Sequence, residues 1–184
     1  MTGFQARKKV HEIRSQVDGI LVGVNTVMTD DPQLNVRGIK KGKDPARIIL
    51  DSYLRTPYGA QLFSTRGGPV ILVTASGHSL RVKKYQELGA LVLPIKPDSQ
   101  GRIPLSELLR KLAKREITSL LVEGGATVLK SFEKKKLFDE VNLFVAPKII
   151  GFSPEREGWV PSVPLQFSSL KCHGPDFEIR SLNA

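Results

Sequence analysis

The chain alternates short, wholly apolar runs with segments of helical period, and few folds accommodate that alternation. Gly19-Ile20-Leu21-Val22-Gly23-Val24, Arg47-Ile48-Ile49-Leu50 and Pro69-Val70-Ile71-Leu72-Val73-Thr74 read as strands, as do Leu91-Val92-Leu93 and Ser119-Leu120-Leu121-Val122. Runs apolar at nearly every position bury both faces, so these strands belong to a central, mostly parallel sheet with helices on both faces. The helical segments fall between them. Residues 5–17 place Val10, Ile13 and Val17 at i, i+3, i+7; 79–88 ends at Gly89, a plausible helix terminator. Residues 104–115 carry Leu105, Leu108, Leu109 and Leu112 on one stripe behind Pro104, and 128–136 reads as a further helix. Residues 141–145 and 148–150 read as one strand interrupted at Pro147, and 165–182 as a C-terminal antiparallel hairpin turning near Gly174-Pro175. With no repeat and no linker, residues 1–184 form a single α/β domain, in which 38–45 and 154–164 are long surface loops.

Composition excludes several classes. A 40% hydrophobic, 25% charged chain of this length buries a real core and is not disordered. No run approaches the roughly 20 apolar residues of a membrane helix, and Met1-Thr2-Gly3-Phe4-Gln5 opens no secretory signal. The one cysteine, Cys172, rules out an internal disulfide framework and a multi-cysteine zinc site, and suits a reducing, cytoplasmic setting. The formal charge of +10 suits anionic partners. The basic clusters Lys8-Lys9, Lys40-Lys41, Lys83-Lys84 and Lys134-Lys135-Lys136 are scattered and carry no interleaved aromatics, so they read as solvated faces rather than a nucleic-acid surface.

Three stretches have the residue types for chemistry. In Leu120-Leu121-Val122-Glu123-Gly124-Gly125-Ala126-Thr127 an apolar strand runs into two glycines and a helix, an arrangement that brings backbone N–H groups up to a phosphate. It reads equally as a tight strand-to-helix turn. In Val22-Gly23-Val24-Asn25-Thr26-Val27-Met28-Thr29-Asp30-Asp31-Pro32-Gln33-Leu34-Asn35-Val36-Arg37, Thr26 and Asp30 share a helical face and Arg37 offers a planar fork to a phosphate; an ordinary capped turn is the other reading. Arg14 lies on the first helix with Arg7 and His11 on a neighbouring face. No histidine has a partner at metal-ligand spacing, so no metal is expected. His78 and His173 fall in apparent loops, Cys172 reads as a core or edge residue, and no serine-hydrolase elbow is present.

Together these stretches resemble the reductase domain of riboflavin biosynthesis. The resemblance rests on Arg7-Lys8-Lys9-Val10-His11-Glu12-Ile13-Arg14, Asp18 to Gly23, Asn25 to Arg37, Arg47 to Ser52, Val122 to Thr127 and Ala146-Pro147-Lys148-Ile149-Ile150-Gly151, in the family's order over nearly the whole chain. It implies a dihydrofolate-reductase-like fold and an NADPH-dependent oxidoreductase. The implied substrate is a ribosylaminopyrimidine 5′-phosphate, whose opened ribosyl unit takes hydride at the imine carbon to give the ribitylamino product. By resemblance Thr26, Asp30, Ser52 and the segment Gly125, Ala126, Thr127, Val128, Leu129, Lys130 and Ser131 match cofactor contacts, and Arg14, Leu34, Arg37 and Glu123 match substrate contacts. It supplies no general acid; the proton donor is a side chain or a water. It also suggests a homodimer.

Two departures qualify the resemblance. Family members carry a further apolar strand before the first helix, within the sheet; here the chain opens at that helix, so either the domain is truncated at its N-terminus, with apolar surface and a strand edge exposed, or a partner chain covers that edge. The zinc-deaminase motifs often fused to this reductase are also missing, which makes the chain a stand-alone reductase or the C-terminal part of a bifunctional enzyme, and leaves open whether its pyrimidine is an aminouracil or a diaminopyrimidinone. The competing readings are a catalytically inactive nucleotide-binding remnant of the same fold and a basic nucleic-acid-binding module.

Overall fold

In a computed structural model, which describes residues 2–39, 44–148, 161–162 and 166–182, the apolar runs form a five-stranded sheet whose every pairing is parallel. The strands are β1 (Gly19–Gly23), β2 (Ala46–Leu50), β3 (Val70–Thr74), β4 (Leu91–Pro94) and β5 (Leu120–Gly124), in the spatial order β4-β3-β2-β1-β5. β1 and β3 are buried at every position, as two-faced strands must be. Their side chains alternate between two cores. Ile20, Val22, Ile49 and Leu72 meet α2 (Val24–Asp30), α3 (Gln61–Ser64) and α4 (Ser79–Glu87) on one face. Leu21, Ile48, Ile71 and Val73 meet α5 (Leu105–Ala113) and α6 (Ala126–Lys134) on the other. Arg47 is the exception in its strand, and its buried guanidinium donates to the carbonyls of Gly68 (2.8 Å) and Thr65 (3.2 Å).

The helix ends differ modestly from expectation. α1 (Phe4–Arg14) stops three residues before Val17, Pro104 precedes α5 as its cap rather than entering it, and α6 begins two residues early, at Ala126. Gly89 does terminate α4 in the left-handed region, at φ 81°. The four-residue α3 is too short to show a helical period in the sequence.

A second sheet is antiparallel, β6-β8-β7, built from β6 (Glu140–Val145), β7 (Gln166–His173) and β8 (Asp176–Leu182). The predicted hairpin is therefore real but gains β6 as a third strand. Residues 146–148 do not extend β6, and Ile149 and Ile150 lie outside the described residues, as do 40–43, 154–160 and 163–164 of the two long loops.

Among the described residues β5 pairs only with β1, and β6 only with β8. Between these two open edges lies a cavity of about 1080 Å³, lined by Leu120 and Val122 of β5, Val141 and Leu143 of β6, and Val10 and Ile13 of α1. This slot explains why the apolar residues of β5 are only half-buried while those of β1 are fully so.

The connectivity also selects a functional edge. From β1 the chain steps outward through β2, β3 and β4, then returns past them through α5 to place β5 on the other side of β1. The carboxyl ends of β1 and β5 thus flank a point where the strand order reverses, the place where open α/β sheets take ligands. Asp18 holds the opposite ends level. Its Oδ2 accepts from the backbone N–H groups of Thr118 and Ser119, both at 3.0 Å, and from their hydroxyls at 3.0 and 2.9 Å. Those four donors favour the carboxylate and hold its pKa down at about 2. A depressed acid stabilises the fold above its ordinary value of 3.8 and loses that contribution as the pH falls through about 2. Because the carboxylate is partly solvated, its worth is about 1 kcal/mol rather than the full shift. Asp18→Asn should therefore cost about 1 kcal/mol at pH 7 in urea unfolding, with the gap between variant and parent closing from pH 4 toward pH 2.

Candidate active site

Two glycine-bearing turns meet at the reversal point. β1 ends at Gly23 and passes directly into α2; β5 ends at Gly124-Gly125 and passes into α6. A Cβ on Gly23 would come within 2.9 Å of Val128 Cγ2, so the two helix starts approach as closely as a missing side chain allows. Gly125 sits at φ 66°, a conformation costly for other residues, and a Cβ there would lie 3.3 Å from the Thr26 hydroxyl oxygen. No side chain caps α6, and its first turn presents N–H groups toward this space. Within residues 125–131 the backbone is the useful part. Val128 packs against the second core, Leu129 lines the slot, and Ser131 Oγ donates back to the Thr127 carbonyl at 2.7 Å. Ala126 and Thr127 form the first turn with Gly125 at its head, and Lys130 is exposed.

Glu123 owes its position to a bulge. β1 and β5 pair as Leu21 with Val122 and then Val22 with Gly124, so Glu123 is the extra residue with no partner in β1. Bulges re-aim side chains in this way beside functional sites. The carboxylate meets Arg14 at the end of α1 in a two-pronged ion pair, Nε to Oε1 and Nη2 to Oε2, both at 2.5 Å. The third nitrogen of Arg14, Nη1, donates to the Asn35 carbonyl at 3.0 Å. Two residues matched separately to a substrate thus bind each other, and the fork of Arg14 faces Glu123 rather than standing open for a phosphate.

Arg37 completes the cluster. Its backbone N–H donates to His11 Nδ1 at 3.3 Å, and its exposed guanidinium donates to Gln33 Oε1 at 3.4 Å. His11 lies one turn before Arg14. Burial, then the charges of Arg14 and Arg37, lower its pKa, against the opposing pull of Glu123. The cluster of Arg14, Glu123, Arg37 and an uncharged His11 therefore carries one net positive charge, suited to an anion.

Other expected residues sit differently. Leu34 is buried in the first core at φ 49°, so its side chain does not face the cleft. Asp30 is exposed at the last position of α2, on the face of Thr26 as expected. Its neighbour Asp31 is the anchored one, accepting from Gln61 N at 2.9 Å. Ser52 follows β2 at the same end of the sheet, with its carbonyl accepting from Thr74 and Ala75. His11 and Asp31 join the site through contacts across 26 and 30 positions, which leave no local trace in the sequence. His78 lies in the loop before α4 and caps that helix, whereas His173 ends β7 rather than lying in a loop and pairs with Glu178 at 2.6 Å. Cys172 is exposed on β7, an edge strand. Among the described residues no group of three His, Cys, Asp or Glu is placed to hold a metal, and no helix is long and apolar enough to cross a membrane.

Comparison with known proteins agrees with this geometry. The family model described as RibD C-terminal domain matches residues 1–176. The chain is 40% identical over 151 residues to the riboflavin biosynthesis protein RibD of Aquifex aeolicus, covering 82% of this chain and 41% of that protein. It is also 40% identical over 148 residues to a 2,5-diamino-6-ribosylamino-4(3H)-pyrimidinone 5′-phosphate reductase of the same organism, covering 80% and 64%. The chain thus spans about half the length of the curated relatives it matches. A crystal structure from Thermotoga maritima, named as a diaminohydroxyphosphoribosylaminopyrimidine deaminase/5-amino-6-(5-phosphoribosylamino)uracil reductase, superposes with a TM-score of 0.74 at 28% identity, over 99% of this chain and 50% of that one. The architecture is the dihydrofolate-reductase-like fold of these reductases, and the chain belongs to the RibD C-terminal domain family.

Proposed function

We propose that this chain is an NADPH-dependent reductase that converts a ribosylaminopyrimidine 5′-phosphate to its ribitylamino product in riboflavin biosynthesis. The observation that carries this reading is the convergence, at one reversal point, of an uncapped helix start behind Gly125 with the Arg14–Glu123 pair and Arg37. The first turn of α6 and the Thr26 hydroxyl suit the cofactor's phosphates, and Asp30 and Ser52 flank that path. When bound, the dinucleotide supplies the hydride. The chain's own residues orient the acceptor. Arg37, the exposed cation, takes the 5′-phosphate; Glu123, fixed by Arg14, accepts hydrogen bonds from ribose hydroxyls with its remaining lone pairs. The buried Leu34 supports the loop between them.

Known proteins named for each of the two pyrimidines are similar to this chain, so the assay uses both. Loss of NADPH absorbance on adding the aminouracil or the diaminopyrimidinone phosphate is the expected result, and it also fixes the branch. A folded protein that binds neither cofactor nor substrate would refute the reading. Arg37→Ala should raise the substrate KM by tenfold or more, as loss of a charge-assisted contact worth roughly 1.5–3 kcal/mol predicts, with NADPH binding unchanged. Gly125→Val should do the reverse, weakening NADPH.

The setting we propose is a cytoplasmic homodimer, working with a zinc deaminase that is fused or separate. Exposed Phe167 and Leu170 on the edge strand β7 support self-association. One observation favours the second reading, a chain that binds nucleotide without turnover. Among the described residues the slot leaves β5 without a strand partner on the side away from β1, directly beside Glu123. We propose that the slot takes one further apolar strand, and that the site is complete only with it. The open edges are five and six residues long. An alternating apolar peptide of about six residues, added in trans or joined ahead of α1, should raise the Tm and restore or increase turnover. Unchanged stability and turnover at saturating peptide would rule the strand out.

A further inference from the structure

We propose that His11 is a positioning residue for the substrate's phosphate end, whose uncharged imidazole pins the Arg37 backbone against α1 and whose protonation releases it. The inference rests on the reductase reading only for the identity of the ligand. It starts from the stitching of the loop at 31–37. On one side Asn35 Nδ2 donates to the Arg66 carbonyl at 3.1 Å and Gln33 Nε2 to Gln61 Oε1 at 2.9 Å. On the α1 side two bonds hold it among the described residues, Arg14 Nη1 to the Asn35 carbonyl and the Arg37 N–H to His11 Nδ1. The second is the one that fixes Arg37 itself.

That bond has a chemical condition. A backbone N–H needs an acceptor, and Nδ1 accepts only when it carries no proton; in the imidazolium both ring nitrogens donate. The surroundings favour the uncharged form. α1 contributes Arg14 and the loop contributes Arg37, both disfavouring a charge on the ring, while Glu123 of β5 and the Asn35 carbonyl oppose them, and burial tips the balance below the ordinary value of 6.5. Arg7, one turn earlier, turns away to the Thr2 carbonyl. His11 therefore holds Arg37 in place at neutral pH and lets it go in mild acid.

The test separates the clamp from the reaction. In the ligand-free protein, NMR follows the His11 ring and the hydrogen exchange of the Arg37 amide through pH 5 to 8. Protection of that amide should fall in step with protonation of His11. In His11→Asn, whose amide oxygen takes the place of Nδ1 without titrating, protection should lose this step. Kinetics on the same proteins should show the substrate KM rising relative to His11→Asn as the pH drops, with kcat unmoved; the comparison cancels titration of the substrate's own phosphate. His11→Phe, which removes the acceptor, should raise KM about fivefold at every pH. Arg37 protection indifferent to His11 protonation would overturn the proposal, as would a KM that falls when His11 is charged. A clamp seen by exchange in a protein that reduces neither pyrimidine would sustain this inference and defeat only the reductase reading.

Discussion

Parallel pairing of β1 with β5 joins residues about a hundred positions apart, and it carries a defect in register that the site depends on. Asp18 levels the amino ends of the two strands through four hydrogen bonds to Thr118 and Ser119. With that end fixed, the residue gained by the bulge must appear at the carboxyl end, and it is Glu123. Without the bulge the side chains of β5 would continue to alternate between the two cores, and a carboxylate at 123 would take its place in that alternation. The bulge removes Glu123 from the ladder and leaves it to Arg14.

The ion pair that results is more a device for shape than a source of stability. Its side chains are 13% and 19% exposed, so both ions have lost most of their water, and such pairs roughly break even against that loss. What the pair does provide is a fixed triangle. Arg14 bonds Glu123 on β5 and the Asn35 carbonyl on the loop, so one side chain ties helix, strand and loop together. Neutralising Glu123 with Arg14 also leaves Arg37 as the cation with charge to offer. The +10 of the whole chain is spread over exposed faces and says less about the ligand than this one local excess.

The sequence was legible where burial is two-sided. β1, β2 and β3 lie within a residue of their apolar runs, and the stripe of Leu105, Leu108 and Leu112 located α5, because these patterns record a complete environment on every face. The glycine turn after β5 was legible too, since Gly125 must adopt a positive φ and glycine is the residue that does so cheaply. Three things were not legible. The Arg14–Glu123 pair spans 109 positions and the His11–Arg37 bond 26, and neither distance leaves a periodic trace. The bulge changes register without changing composition. Leu34 looks like any loop apolar residue until the left-handed backbone at φ 49° turns it into the core.

The slot connects these observations. An apolar strand edge with one neighbour is soft, because its outer N–H and C=O groups exchange with water and its side chains pack on one flank only. Among the described residues β5 is such an edge, and Glu123 is its penultimate residue. Arg14 approaches from α1, whose Val10 and Ile13 form another wall of the same cavity. Glu123 lines this void and Arg14 follows directly on Ile13, which lines it too, so any play in that void becomes play between Arg14 and Glu123. A strand seated there would pair the free edges of β5 and β6 and join the two sheets into one. It would also press α1 against β5 from below, so that the cluster at the top is held by packing as well as by charge.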